Sequence, residues 1–366
     1  MRKSPLVLIA AIILPGIFLQ PDRGDAQAPP NTKTNVPDSN PEHVTLGFAP
    51  PPPEEMLRRI QTQDVTAAGI ARVAESLHSG IAEPAVAPKI ANPQNPGVPP
   101  DKWDWSDPNC PGGVIVTDVE DQKSCGCCYD FAANAAFEAS FALKRRAAPK
   151  LVGASEQCLL DCQGSYGCNG GWWDQPFNLM VSRGLPRRSQ YLHDGQSYTA
   201  AKGQCLLNEK NAPLLAYRAA NWGYVDRDNK TFIPKDLDIK NAILQHGVIA
   251  AAFYASPEFV QWGWSNHETD STFATEDTKD TSVNHAVAIL GWDDNRKWPG
   301  GDKRLGAWKI KNSWGKAWGD KGFAWIGYKI NKIGFNAAWV DATAPGDPLL
   351  TDPQYLRAVA PMLRQE

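Results

Sequence analysis

The stretch that decides the fold is Gln122-Lys123-Ser124-Cys125-Gly126-Cys127-Cys128-Tyr129-Asp130-Phe131. It continues without a break into Ala132-Ala133-Asn134-Ala135-Ala136-Phe137-Glu138. The second run is rich in alanine and free of glycine and proline, which predicts a helix opening at about Cys128. A thiol at a helix N-terminus lies beside unpaired backbone N–H groups and the positive end of the dipole, which favours the thiolate. Cys128 is the expected nucleophile.

At 366 residues the chain has room for one large domain or two ordinary ones. Its 37 basic and 40 acidic residues leave a formal charge of −3, too weak a field to point to nucleic acid or a membrane surface. The chain opens Met1-Arg2-Lys3-Ser4-Pro5 and runs on through the apolar stretch Leu6 to Leu19, the pattern of a secretory signal over residues 1–26. A membrane anchor is the competing reading, but Pro15 and Gly16 interrupt a run already short of the ~20 residues a spanning helix needs. Eight cysteines, all from Cys110 onward, then fit an oxidising compartment: secreted or periplasmic, or lysosome-like and acidic in a eukaryotic host. No membrane anchor is expected once the signal is cleaved.

Residues 27–97 read as a pro-region in which Pro-rich text flanks a helix. The first such stretch ends in Pro50-Pro51-Pro52-Pro53, and the helix spans Glu54 to Ser79 with apolar Leu57, Ile60, Ile70, Val73, Ala74 and Leu77. The same composition suits a stalk. From residue 98 the text changes, helical with loops from Cys128 to about Gly203, with a short helix over Asp236 to Gln245. Strand-like runs follow at Val248–Tyr254, Ala286–Gly291, Trp308–Lys311 and Phe323–Ile330. A helical half followed by a strand-rich half predicts an α+β domain over 98–345, two lobes with a cleft between them. Residues 346–366 form a tail with a short helix over Asp352–Val359.

Amide hydrolysis by cysteine also needs a base, a group to orient it and donors for the oxyanion. Of six histidines, His43 and His78 lie in the pro-region, His193 and His267 in polar loop text, and His246 at an expected helix C-terminus. His285 opens Ala286-Val287-Ala288-Ile289-Leu290-Gly291, a strand that otherwise buries itself, and a titratable ring there points to a function. In Lys311-Asn312-Ser313-Trp314-Gly315, Asn312 is the acceptor for the ring N–H and Trp314 the shield of that bond. The Gln122 amide and the Cys128 N–H are the expected oxyanion donors.

These motifs, in this order, resemble the papain-like cysteine peptidases from about Asp104 to Asp341. Ser155-Glu156-Gln157, Cys168-Asn169-Gly170-Gly171 and Trp318-Gly319 add to the match. Cys127 stands where the family's nucleophile signature has Ser or Ala, and His285 and Asn312 follow Cys128 at more than the guide of roughly 130–150 residues. Two stretches read as inserted surface loops, one between Gly203 and Phe273 and the other Asp293 to Gly306.

The resemblance implies a papain-like two-lobed fold, with a helical left lobe, an antiparallel β-barrel-like right lobe and the active-site cleft between them. It implies catalysis by Cys128, His285, Asn312 and Gln122, and disulfides Cys125–Cys168 and Cys162–Cys205. Protein or peptide substrates would add a strand along Gly170 and Gly171. Trp173 and Ala286 would line the pocket for the second residue before the scissile bond, with Asp341 at its floor selecting a basic residue, and Trp314 would stand in the cleft. The implied protein is a secreted endopeptidase, monomeric and free of cofactors, made as a zymogen whose pro-region is its intramolecular inhibitor. The interspersed helical motif of the family's propeptides is absent from residues 27–97.

For Cys110, Cys127 and Cys158 the simplest expectation is one further bridge and one free thiol. A zinc site lacks a second ligand pair. A thiol oxidoreductase built on Cys125-Gly126-Cys127-Cys128 lacks its βαβ context. A catalytically silent relative that binds peptides without cutting them is the remaining alternative, distinguished by whether Cys128 alkylates selectively.

Overall fold

A computed structural model describes residues 45–59, 98–207, 217–226, 232–265, 270–276, 282–301 and 303–343. The chain divides into two units, Met1–Asp38 and Ser39–Glu366, and every described residue belongs to the second. The signal segment, the helix expected beyond residue 59, most of the second Pro-rich stretch and the C-terminal tail lie outside the described residues.

The helices are α1, described over 53–59, α2 (Cys128–Arg145), α3 (Glu156–Cys162), α4 (Asp174–Ser182), α5 (Asp236–His246) and α6 (Pro257–Ser265). The strands are β1 (Lys102–Asp104), β2 (Ala219–Tyr224), β3 (Ile249–Phe253), β4 (Thr272–Phe273), β5 (His285–Lys297), β6 (Leu305–Lys311), β7 (Phe323–Gly327) and β8 (Phe335–Ala342). They form one sheet in the order β2-β8-β3-β5-β6-β7-β4, with β1 paired to β5. Every pairing is antiparallel except β4 with β7. This is the expected α+β papain-like fold, helices first and sheet second. Among the described residues no helix is long and apolar enough to cross a membrane.

Helix α2 is the axis of the molecule. Its alanines let α3 and α4 approach on one side and β3, β5 and β8 on the other. It is buried without interruption from Cys128 to Ser140, and its buried polar side chains find partners: Asp130 accepts from Gln163 (2.8 Å), Asn134 donates to Glu156 (2.9 Å) and Glu138 accepts from the Ala154 N–H (2.8 Å). It stops at Arg146, which turns left-handed (φ 51°) and donates its N–H to the Ala142 carbonyl, while Lys144 and Arg145 complement the dipole. Nearby, α3 is capped by Ser155, whose side chain accepts from the Cys158 N–H at 3.1 Å.

Two expectations change. Asp293 to Gly306 is not a surface loop, because β5 and β6 run on into it as a hairpin. The Asp294 carboxylate accepts from Lys240 Nζ (2.6 and 2.7 Å) and the Tyr328 hydroxyl (2.6 Å), and Trp298 Nε1 donates to the Gly306 carbonyl (2.8 Å). Conversely, β7 ends at Gly327 instead of reaching Ile330, since Lys329 and Asn331 adopt positive φ (65° and 46°) and turn the chain.

Behind the cleft lies a partly buried ionic cluster. Arg188 grips Glu156 through two bonds, Nε to Oε2 (2.9 Å) and Nη2 to Oε1 (2.7 Å), and reaches Glu120 (2.5 Å). Glu138 accepts from Thr117 Oγ1 (2.5 Å) and the Ala154 N–H (2.8 Å), and Lys311 Nζ donates to the Thr117 carbonyl (3.1 Å) and hydroxyl (3.0 Å). Burial, then Glu156, pushes the Glu138 carboxyl up to about 7. The cluster ties α2 and α3 to β6, whose last residue is followed by Asn312.

Candidate active site

The nucleophile and base come from the starts of two buried elements. Cys128 is the first residue of α2, so its N–H has no acceptor within the helix. His285 is the first residue of β5. The Cys128 sulfur accepts from the N–H of Ala286, next to His285, which draws the two starts together. Imidazole Nε2 lies 2.8 Å from Asn312 Oδ1, and buried Nδ1 has no hydrogen-bond partner among the described residues. An amide oxygen only accepts, so Nε2 carries the proton and Nδ1 is left basic. Trp314 stacks on the imidazole at 4.5 Å and 26°, shielding the His285–Asn312 bond from water.

Gln122 is fixed from four sides. Its N–H donates to the Ser313 carbonyl (2.8 Å) and its Oε1 accepts from the Ser313 hydroxyl (2.6 Å). Its Nε2 donates to the Cys125 carbonyl (2.9 Å) and to the Thr45 carbonyl (2.8 Å). The Gln122 carbonyl accepts from the Tyr198 hydroxyl (2.8 Å), and that hydroxyl lies 3.2 Å from Cys127 Sγ. A phenol has one proton and a carbonyl only accepts, so the Cys127 thiol must donate to Tyr198. Cys127, the residue before the nucleophile, is thereby tied to the backbone that carries the Gln122 amide. Cys127 had no assigned role in the sequence and Tyr198 had no signal at all, because it comes from a separate loop.

The cleft is filled by residues 45–49 of the same chain. Besides the Thr45 carbonyl on Gln122, the Gly47 N–H points at the Cys128 sulfur. Phe48 donates its N–H to the Asn284 carbonyl (3.0 Å), Gly171 donates to the Gly47 carbonyl (3.0 Å) and Ala49 to the Gly171 carbonyl (3.2 Å). That is a parallel bridge between Phe48 and Gly171. The Phe48 ring, 4% exposed, packs on Trp172 (4.8 Å) and Trp173 (4.6 Å). Gly47 passes so close to the backbone of Gly126 that a Cβ would overlap it.

This cover sets the electrostatics. Burial pushes the Cys128 thiol up to about 12 despite N–H bonds from Ala286, Gly47 and Tyr129, and holds His285 down to about 4 against its bond to Asn312. The thiolate expected from the helix dipole is not favoured here, because desolvation outweighs it. With residues 45–49 in place the pair is neutral thiol and neutral imidazole.

The remaining assignments divide. Gly170, Gly171, Trp173 and Ala286 lie around residues 47–49 or the sulfur. Asp341 does not join them. It pairs with His246 (3.0 Å) and with Lys144 (3.1 Å). Lys144 is in the last turn of α2, about 24 Å along the helix from Cys128. Burial pushes the Asp341 carboxyl up, but His246 and Lys144 hold it below the usual range. It is therefore not the pocket floor. His193, in polar loop text, bonds the Asp161 carboxylate at 2.7 Å. Bridges join Cys125 to Cys168 and Cys162 to Cys205, and no third forms, since Cys110, Cys127 and Cys158 all stay free. Among the described residues no group of three or more His, Cys, Asp or Glu side chains is placed to hold a metal ion.

A thiol at a helix start beside an asparagine-held imidazole, between a helical lobe and a sheet, defines a cysteine-protease type of site. Residues 99–342, the greater part of the chain, match the papain family of cysteine proteases, and the chain belongs to that family. Ananain from Ananas comosus is 33% identical over 225 residues, covering 61% of this chain and 54% of its own. A cathepsin L-like protein of Caenorhabditis elegans is 31% identical over 237 residues, 63% of this chain and 60% of its own. This chain thus spans little more than half the length of these relatives. Among solved structures, the bromelain protease from Ananas comosus in complex with the E64 inhibitor matches with a TM-score of 0.50 and 26% identity, over 66% of this chain and 99% of that one. The proform of the ragweed pollen protease Amb a 11 shares the fold, with a TM-score of 0.51 and 23% identity over 72% and 67% of the two chains.

Proposed function

We propose that the protein is an exported endopeptidase that cleaves peptide bonds through a thioester on Cys128 and is made as a zymogen. What supports this reading is the bond of His285 to Asn312 together with the N–H of Ala286, the residue next to His285, on the Cys128 sulfur, and Gln122 bonded to the Cys125 carbonyl and to Ser313. Once the cleft is open, Cys128 passes its proton to His285 Nδ1 and the sulfur attacks the scissile carbonyl carbon. The oxyanion is held by Gln122 Nε2 and the Cys128 N–H. His285 then protonates the leaving amine as the C–N bond breaks, while Asn312 Oδ1 keeps Nε2–H in place. Water attacks the thioester with His285 taking its proton, the C–S bond breaks and the thiol is restored.

Residues 45–49 fit the inhibitor role because their direction is unproductive. In a substrate, the residues before the scissile carbonyl would lie along Gly171 and Trp173. Here the residues after the Thr45 carbonyl lie there, and Gly47 offers the sulfur an N–H instead of a carbonyl carbon. The two disulfides suit export into an oxidising compartment.

The test is intact mass of the precursor before and after acidification, with an epoxysuccinyl titrant, beside Cys128→Ala. Loss of about the first hundred residues plus a single adduct, both absent from the variant, is expected. A full-length chain that takes up no titrant under any condition overturns the reading.

A further inference from the structure

The first turn of α2 carries an acid that the reaction steps above do not use. Asp130 is fully buried, two residues after Cys128. Its Oδ2 accepts from Gln163 Nε2 at 2.8 Å, and the same nitrogen donates to the Tyr129 hydroxyl at 2.8 Å. That hydroxyl donates its own proton to the Gly167 carbonyl at 3.1 Å. Asp130, Gln163 and Tyr129 thus form one chain of bonds ending on the backbone of the turn that leads to Gly170. Lys202 Nζ holds the same turn at the Gln163 (3.3 Å) and Gly164 (2.9 Å) carbonyls.

The Tyr129 ring is the floor beneath Gly171. A Cβ on Gly171 would lie 2.6 Å from Tyr129 Cζ, so the glycine backbone rests directly on the ring. Gly171 also bonds the covering segment twice, its N–H to the Gly47 carbonyl (3.0 Å) and its carbonyl to the Ala49 N–H (3.2 Å). Whatever holds the ring therefore sets the height of a backbone with which an extended chain in the cleft pairs.

We propose that Asp130 is a positioning residue for substrate: through Gln163 it holds the Tyr129 ring under Gly171 and so fixes the backbone along which a peptide lies. It rests on the peptidase reading above. The pair works with Asp130 un-ionised. Among the described residues, Asp130 Oδ1 and Gln163 Oε1 are both buried without a hydrogen-bond partner. An amide that donates to one carboxyl oxygen can accept from the other, so one proton on Asp130 serves both orphaned oxygens. The surroundings act in the same direction. Burial pushes the carboxyl well above its ordinary range and Glu156 adds to this, against the Gln163 bond and the charge of Lys202. An uncharged Asp130 also spares a Cys128 thiolate a like charge two residues away.

The test compares Asp130→Asn, Asp130→Ala and Gln163→Leu with wild type, each processed by acidification, on an extended fluorogenic peptide. Asparagine keeps one donor and one acceptor, as a protonated acid does, so Asp130→Asn should keep the wild-type KM. Asp130→Ala and Gln163→Leu should raise KM about tenfold with kcat little changed. Iodoacetamide is too small to lie along Gly171, so it should alkylate Cys128 at the wild-type rate in all three variants, which a loosened fold would not allow. A raised KM in Asp130→Asn, or a wild-type KM in Gln163→Leu, overturns the assignment. So does a KM rise matched by an equal change in alkylation rate. A wild type that is alkylated at Cys128 yet cleaves no peptide sinks the peptidase reading itself, and the assignment with it.

Discussion

Tyr198 has one proton and two neighbours, Cys127 and the Gln122 carbonyl, and these flank the two donors assigned to the oxyanion. Tyr198→Phe removes the link while keeping the ring that packs edge-on to Phe131. The expected loss is about 1 kcal/mol of transition-state stabilisation, roughly fivefold in kcat, with KM unchanged. Cys127→Ser, which still donates, should keep kcat, and Cys127→Ala should match Tyr198→Phe. Steady-state kinetics on the processed enzyme checks all three. The main residues of the candidate site carry local signals in the sequence: a thiol before an alanine run, a histidine opening an apolar strand, an asparagine before Ser-Trp-Gly. Tyr198 carries none, since nothing near it in the chain betrays its partner. Asp341 was misplaced because its surroundings are set by strand register, and β2 against β8 carries a register shift beside Asn221, the partner of Asp341.

At the scale of elements, the helices and strands with a clear period were readable, whereas their ends depended on distant anchors. The β5–β6 hairpin extends because Lys240 and Tyr328, far away in sequence, meet at Asp294. The Arg188 cluster is equally non-local, joining Glu120, Glu138 and Glu156. Arg188→Ala leaves buried carboxylates unpaired and should cost about 3–5 kcal/mol of stability, read from the shift of the denaturant midpoint. Residues 45–49, with the short apolar run Leu46-Gly47-Phe48-Ala49 inside a Pro-rich and polar stretch, carry no local sign of what they cover. Their fit against Gly126 depends on the absence of a side chain at Gly47. Gly47→Val should lift the segment, so that the full-length chain reacts with the epoxysuccinyl titrant at neutral pH where the wild type does not.

For the molecule as a whole, covering the cleft is linked to protons. The covered imidazole is held down to about 4 from an ordinary 6.5, and the covered thiol up to about 12 from an ordinary 9.0. As pH falls from about 6.5 to about 4 the open form takes up a proton that the covered form refuses, so acid favours opening. Above about 9 the open form gives up the thiol proton first, so alkali favours opening as well. The cover is firmest between those limits, and the acid arm is worth at most about 3 kcal/mol, complete near pH 4. In Cys128→Ala, which cannot process itself, cleavage of residues 45–59 by an added protease should rise as pH drops from 7 to 4. A flat profile contradicts the linkage. The same arrangement bears on shelf life. Cys128 is fully buried, with backbone donors from Gly47, Ala286 and Tyr129 directed at its sulfur, and in its neutral form. Peroxide attacks exposed thiolates, so the precursor should keep full latent activity through a peroxide exposure that destroys the processed enzyme. Residues 45–49 would then act as an antioxidant seal, preserving the one atom on which later activity depends.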